Sequence, residues 1–285
     1  MINHIFLEIG FKCNLHCSYC YLNKSLLDDD ISMPKYMKLF TILKGNEISK
    51  DLRVTICGGE SLLYIDEIKS IYNALKDRYP MVTIELFTNA TLLEDAIYDL
   101  LNMKHTLFIG FDDKEKSIDN LSYTNIDLIR REVETNSNTS FSYLIGDLTN
   151  IAKDVSNIRR VFGKFPKVLY DYHKSNNLPL VYKNIIGELK KVKYSFNKGT
   201  EQLILDHDKC HSIFITNNGK VKYCESRINN DKSDIESSIK FVSDKCINKP
   251  YNICDKCNVC ISRIANYNKN YCYMSKIYNM DDSDL

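Results

Sequence analysis

No apolar run in this 285-residue chain is long enough to cross a bilayer, which excludes a helical membrane span. Neither sign of charge is in excess: 38 Lys and Arg stand against 37 Asp and Glu, a formal net charge of +1. That balance supplies no electrostatic footprint for nucleic acid or an anionic membrane, so neither is expected as a principal partner. The first residues, Met1-Ile2-Asn3-His4-Ile5-Phe6-Leu7, lack a basic region, a long apolar stretch and a small-residue cleavage site. No secretory signal is expected, and a cytoplasmic location is. Cysteine is missing between Cys57 and Cys210, although the chain has 11 cysteines. Thiols stay reduced in the cytosol, which argues against a disulfide framework. Their clustering, with Cys13, Cys17 and Cys20 at one end and seven from Cys210 to Cys272 at the other, favours metal sites.

With 44% hydrophobic and 26% charged residues, the chain has an ordinary globular composition and the length for one large domain or a domain with an appendage. Strand patterns fall at 4–9, 52–57, 82–88, 106–111, 139–145 and 167–172. Between them lie helical patterns at 35–44, after Pro34, and at 64–79, 92–103, 119–136 and 149–162. Six strands alternating with helices predict βα units on a parallel sheet. Six units fall short of the eight that close a TIM barrel. The expected architecture is therefore α/β, a partial (β/α)6 TIM-like barrel over 1–199, open on one side. From about residue 200 the chain turns polar and cysteine-rich. SIFITNNGKVKYC (212–224) reads as a hairpin turning at Asn217-Asn218-Gly219. So loop-rich a segment (200–280) builds little core, and metal ligation is the expected source of its stability. Residues 281–285 are expected to form an acidic tail.

Three cysteines suit a site that keeps one coordination position open, whereas a closed structural zinc site takes four ligands. Zinc completed by His16 or a distant cysteine is one reading of Cys13, Cys17 and Cys20. The other is a [4Fe–4S] cluster held by three thiolates. The stretch Cys13-Asn14-Leu15-His16-Cys17-Ser18-Tyr19-Cys20 resembles the C-x3-C-x-aromatic-C signature of the radical S-adenosylmethionine (SAM) enzymes, with Tyr19 at the aromatic position. Cys57-Gly58-Gly59-Glu60-Ser61, after a strand, resembles that family's Gly-Gly-Glu segment, which presents backbone groups to the SAM amino group. Two glycines let backbone approach a ligand closely, and Glu60 is placed to help hold an ammonium. Ser61 replaces the proline often found next, a harmless change on this reading. Thr88-Asn89-Ala90 resembles the family's T-N-G segment near the SAM ribose, with Ala90 in the glycine position. Phe108-Ile109-Gly110-Phe111-Asp112-Asp113 stands where Ser-x-Asp-Gly is common, and departs from it at Gly110 and Asp113. The resemblance implies cofactor contacts at Tyr19, Gly58, Gly59, Glu60, Thr88, Asn89 and Asp112. Thr88, Asn89 and Asp112 serve equally well as turn or cap formers. Ile145 reads as core, with the adenine pocket as the alternative, and Cys57 as a buried, inert strand cysteine.

Cys210 and Cys224 with Gly219 between them give C-x8-G-x4-C, which resembles the opening of the SPASM and twitch extensions of radical SAM enzymes. Cys254 and Cys257 follow as that pattern expects; Cys260 and Cys272 depart from its spacing, and Cys246 is the least assignable. The resemblance implies one or two auxiliary [4Fe–4S] clusters, two being favoured. Cys210 and Cys224 would serve the first, and Cys254, Cys257 and one or both of Cys260 and Cys272 the second. Zinc in this segment is a competitor, since C-x2-C pairs suit it too.

Taken together, the resemblance implies an enzyme that cleaves SAM to a 5′-deoxyadenosyl radical and abstracts hydrogen from a substrate. The expected substrate is a precursor peptide or protein, oxidatively modified during maturation, for instance by cross-linking, and the expected electron donor is a reductant such as flavodoxin or ferredoxin. Dehydrogenation or rearrangement of a small alcohol, sugar or nucleoside is the alternative. A non-catalytic zinc-stabilised binding module is the remote one. No general acid, base or hydrogen donor stands out from the sequence, and none of the tyrosines can be singled out.

Overall fold

In a computed structural model of the chain, the structure describes residues 2–18, 20, 48–169, 178–194, 212–215 and 221–222. The expected helix at 35–44, Tyr19, the hairpin tip at 217–219, the tail at 281–285 and all seven cysteines from Cys210 to Cys272 lie outside them. The chain divides into two compact units, and the division runs through one strand after Leu107.

The first unit is built on β1 (Ile2–Gly10), β2 (Ile48–Gly58) and β3 (Thr83–Thr88), each parallel to the next. The registers are Leu7 opposite Ile56 and Ile56 opposite Leu86. Helices α1 (Ile65–Lys76) and α2 (Leu93–Leu101) connect the strands, after a short 3-10 turn at Ser61–Tyr64. Side chains alternate across a strand, and the alternation divides this sheet sharply. Ile5, Leu7, Ile9, Val54, Ile56, Ile84 and Leu86 are all buried, as are Ile68, Ile71 and Leu75 of α1 and Leu93, Ala96 and Leu100 of α2. Each Val, Leu or Ile among them taken fully out of water contributes roughly 1.5–3 kcal/mol. The other face carries His4, Phe6 and Glu8 on β1, Arg53, Thr55 and Cys57 on β2, and Glu85 and Phe87 on β3. Strand β7 (Ser212–Ile215) lies on the free side of β1, parallel to it, with β8 (Val221–Lys222) antiparallel beyond. The expected hairpin thus extends the sheet of β1.

The second unit holds the larger part of β4 (His105–Asp112), followed by β5 (Ser140–Leu144) and β6 (Lys167–Leu169), again parallel. Its helices are α3 (Tyr123–Thr135), α4 (Ile151–Phe162) and α5 (Leu178–Lys191), the last packed on α4. Ser122 caps α3 by accepting the Asn125 N–H, the usual role of an N-terminal serine. Phe111, Phe141 and Phe162 pack with ring centroids 5.1–5.8 Å apart at the centre of this unit. Among the described residues no helix is long and apolar enough to cross a membrane.

Candidate active site

In the first unit, the expected site residues gather at the carboxyl ends of β1, β2 and β3. Strand β1 ends at Gly10, and the cysteine loop leaves from it. Cys13 is half-buried, Cys17 buried and Cys20 exposed, and none of the three is in a disulfide. The loop is shaped by its own backbone: the Cys20 N–H donates to the Cys17 carbonyl at 3.1 Å. The Leu15 N–H donates to Cys13 Sγ at 3.5 Å.

The root of the loop is fastened to the turn after β2. The Gly59 N–H donates to the Gly10 carbonyl at 2.8 Å, and the Glu60 N–H to the Lys12 carbonyl at 2.9 Å. Both glycines are required for this approach. Gly58 has φ of +129°, and a Cβ there would stand 2.1 Å from the Gly10 oxygen. A Cβ on Gly59 would stand 2.0 Å from the Lys12 oxygen. The two glycines thus let the turn after β2 approach the backbone at the base of the cysteine loop.

Glu60 is 2% exposed. Its Oε1 accepts from the Leu62 N–H at 3.0 Å and from Thr88 Oγ1 at 2.6 Å. Ser61 Oγ donates to the Phe87 carbonyl at 2.8 Å, a rung that a proline at this position could not make. Thr88 and Ser61 therefore tie the turn to the last two residues of β3.

In the second unit, Asn89 Oδ1 accepts from both the backbone N–H and the hydroxyl of Thr91, at 3.0 and 2.5 Å. The Asn125 amide in turn donates to the Thr91 carbonyl at 2.9 Å. Ala90 has φ of +60° and is fully buried. It adopts the left-handed conformation that glycine takes most easily. Asp112 is buried, and its Oδ1 accepts the backbone N–H groups of Lys114 and Lys116, both at 2.8 Å. Asn89 and Asp112 thus each accept hydrogen bonds from the turn that follows them. Ile145 is buried, and the Asp113 carboxylate packs so closely on Gly146 that a Cβ would stand 2.1 Å from Oδ1.

Cys57 differs from expectation in being half-buried: two places beyond Thr55, it shares the face of β2 turned away from the buried Val54 and Ile56. On that face a polar network spans three strands. His4 Nε2 lies 2.6 Å from Thr55 Oγ1, and Thr55 Oγ1 donates to Glu85 Oε2 at 2.5 Å. Arg53 lies 3.5 Å from Glu85 Oε1. Because the threonine proton goes to Glu85, His4 donates from Nε2, which leaves Nδ1 a buried acceptor without a hydrogen-bond partner. Burial depresses the His4 pKa, more strongly than Glu85 raises it. Burial pushes the Glu85 carboxyl up, but hydrogen bonds from His4 and Thr55 and the nearby Arg53 charge hold it below the usual carboxylate range. The available sequence signal was period-two polarity: His4, Thr55 and Glu85 each interrupt an apolar strand.

Residues 7–131 match the Radical SAM superfamily model, so this stretch of the chain is a Radical SAM superfamily domain. The chain is 30% identical over 100 residues to a GTP 3′,8-cyclase of Clostridium botulinum, a match covering 35% of this chain and 31% of that protein. An uncharacterized protein of Methanocaldococcus jannaschii is 32% identical over 99 residues, 34% of this chain and 33% of that one. The matches thus span about a third of the length of these curated relatives. Among solved structures, hexahistidine-tagged anSMEcpe with bound AdoMet is similar at TM-score 0.57 and 16% identity, over 84% of this chain and 77% of that one. Native anSMEcpe with bound AdoMet and Cp18Cys peptide is similar at TM-score 0.57 and 16% identity, over 90% and 85%. The likeness shows the fold: α/β with a parallel-stranded sheet, the open partial barrel expected from the six βα repeats.

Proposed function

We propose, from the Radical SAM superfamily domain at residues 7–131, that the protein is a radical SAM enzyme that oxidatively modifies a peptide. The observation that carries this reading is the rooting of a three-thiol loop, Cys13, Cys17 and Cys20, on the Gly58-Gly59-Glu60 turn. The residues fit a cluster with one open iron. They offer three thiols on one loop, one of them buried, and the base of that loop sits in a cradle that any Cβ on Gly58 or Gly59 would fill.

On this reading Cys13, Cys17 and Cys20 would hold a [4Fe–4S] cluster, and Glu60 with the adjacent backbone would face the amino group of SAM. When bound, such a cluster would supply one-electron reduction of SAM, with a reductant such as flavodoxin or ferredoxin as the electron source; the chemistry it would make available is cleavage of SAM to methionine and a 5′-deoxyadenosyl radical able to take a hydrogen atom from the substrate. The chain's part is to orient the cofactor and keep water out. Thr88 and the Leu62 N–H fix the Glu60 carboxylate from one side. Tyr19, Asn89 and Asp112 complete the proposed cofactor contacts.

The seven cysteines from Cys210 to Cys272 would hold one or two auxiliary clusters in a SPASM-like extension over 200–280, the barrel domain being 1–199 and the tail 281–285. Such clusters would accept the electron left on the substrate radical, so that the product is oxidised overall. A peptide substrate is supported by the fold shared with anSMEcpe, a protein solved with a bound peptide. The second reading, a small nucleoside-like substrate, is favoured by the local identity to a GTP 3′,8-cyclase.

The test is anaerobic reconstitution with iron and sulfide, followed by assay of 5′-deoxyadenosine release from SAM under dithionite. Cys17→Ala should abolish release, and Cys272→Ala should leave most of it. Zinc in place of iron at the first site would end the proposal. Mass spectrometry of co-expressed candidate peptides then separates the substrates. A SAM-dependent mass change supports the peptide reading, and turnover of a nucleoside alone supports the other.

A further inference from the structure

Tyr64 closes the 3-10 turn that follows Glu60, and its side chain reaches back across the sheet to β1. Its hydroxyl oxygen accepts the Lys12 N–H at 2.8 Å, a contact between residues 52 positions apart. The ring is 8% exposed. It fits because Gly10 lacks a side chain: a Cβ there would stand 2.3 Å from the Tyr64 hydroxyl and 2.6 Å from Cζ. The Lys12 carbonyl is meanwhile held by the Glu60 N–H at 2.9 Å. Both polar groups of Lys12 are therefore anchored to the segment 60–64. With its N–H and C=O fixed, Lys12 has neither φ nor ψ left to relax. The peptide that leaves it delivers Cys13. A side-chain hydroxyl makes one of the two anchors, so that anchor can be removed without altering the backbone.

We infer that Tyr64 is a positioning residue for the cysteine loop, setting the direction in which Cys13 presents its thiolate to iron. The inference deepens the proposed function and rests on it in one respect, that Cys13 holds iron. A tyrosine that merely filled space would serve equally well as phenylalanine, because the ring supplies the packing and the hydroxyl supplies the anchor.

The experiment compares wild type, Tyr64→Phe and Tyr98→Phe after anaerobic reconstitution, Tyr98 being a tyrosine 78% exposed on α2. Iron release to a chelator is followed, together with the change that SAM produces in the electron paramagnetic resonance spectrum of the reduced cluster. The melting temperature of each metal-free protein is measured in parallel. Tyr64→Phe is expected to release iron about fivefold faster than wild type, the scale of one net hydrogen bond. Its SAM-dependent spectral change should be weaker, its metal-free melting temperature lowered only by what one lost hydrogen bond requires, and Tyr98→Phe should match wild type throughout. Wild-type behaviour of Tyr64→Phe overturns the inference. Faster release with an undiminished SAM-dependent spectral change also overturns it, since Tyr64 would then act on stability alone. A wild-type protein that takes up no iron instead removes the reading on which the inference stands.

Discussion

Gly59 sits where two backbones meet, and its substitution isolates that contact. Gly59→Ala would drive a methyl group to 2.0 Å from the Lys12 carbonyl oxygen, which is backbone and cannot swing aside. A loss of about 1–3 kcal/mol is expected from such overpacking, read from urea unfolding of the metal-free protein. A second residue-scale prediction concerns pH. The folded-state pKa of His4 lies below its ordinary 6.5, so the unfolded chain binds the proton first. The corresponding stability is present above pH 6.5 and is lost as pH falls below that value, through the depressed folded pKa. Glu85, also depressed, adds a loss of the same sign at lower pH, below its ordinary 4.5. Urea midpoints should hold above pH 6.5 and fall below it, and His4→Gln should flatten that fall. The cysteine triplet and the Gly-Gly-Glu turn were legible because their signal is local, a spacing along the chain. Tyr64 and His4 were not, since the partners that give them meaning, Lys12 and Thr55, lie 52 and 51 residues away.

Among the elements, α4 shows what local sequence can specify. Ile151, Val155, Ile158 and Phe162 recur at helical spacing and are all buried. Gly163 then ends the helix with φ of +76°, and a Cβ added there would meet nothing within 4 Å. Gly163→Ala therefore brings no clash, and its cost is conformational alone: about 1–2 kcal/mol, measurable as a lowered urea midpoint. Gly163→Asn should cost less, because asparagine tolerates this conformation better than alanine. The strands and the first four helices follow their sequence patterns to within a few residues. Helix α5 was not anticipated. Pro179 near its start and Gly187 within it weaken the local signal, and the buried Ile185 and Leu189 draw their support from packing on α4. The 3-10 turn at Ser61–Tyr64 was equally hidden, being fixed by the Glu60 cap and the rung from Ser61 to Phe87.

At the scale of the molecule, the α/β class and the open barrel were legible because six βα repeats impose a parallel sheet whatever the details of packing. The destination of SIFI at 212–215 was not: its composition reads as strand, yet nothing local says that it lies parallel beside β1. The pairing sets Ile5 opposite Ile213 and Leu7 opposite Ile215. A chain cut at residue 199, the expected domain boundary, leaves that side of β1 bare. It should be less stable than a chain of residues 1–225 by about 2–4 kcal/mol, on the order of 1 kcal/mol for each lost backbone bond. Urea unfolding of the two truncated proteins, with light scattering to follow association through the uncovered strand, checks this.

The same pairing has a consequence during synthesis. Strand β1 leaves the ribosome before the strand that covers its other side, which begins only at Ser212, 202 residues after Gly10. At about 5–20 residues per second, translation leaves that side waiting for roughly 10–40 s. A nascent chain of this protein is therefore at its most vulnerable to wrong partners, and most dependent on holding chaperones, in the interval just before its cysteine-rich region emerges.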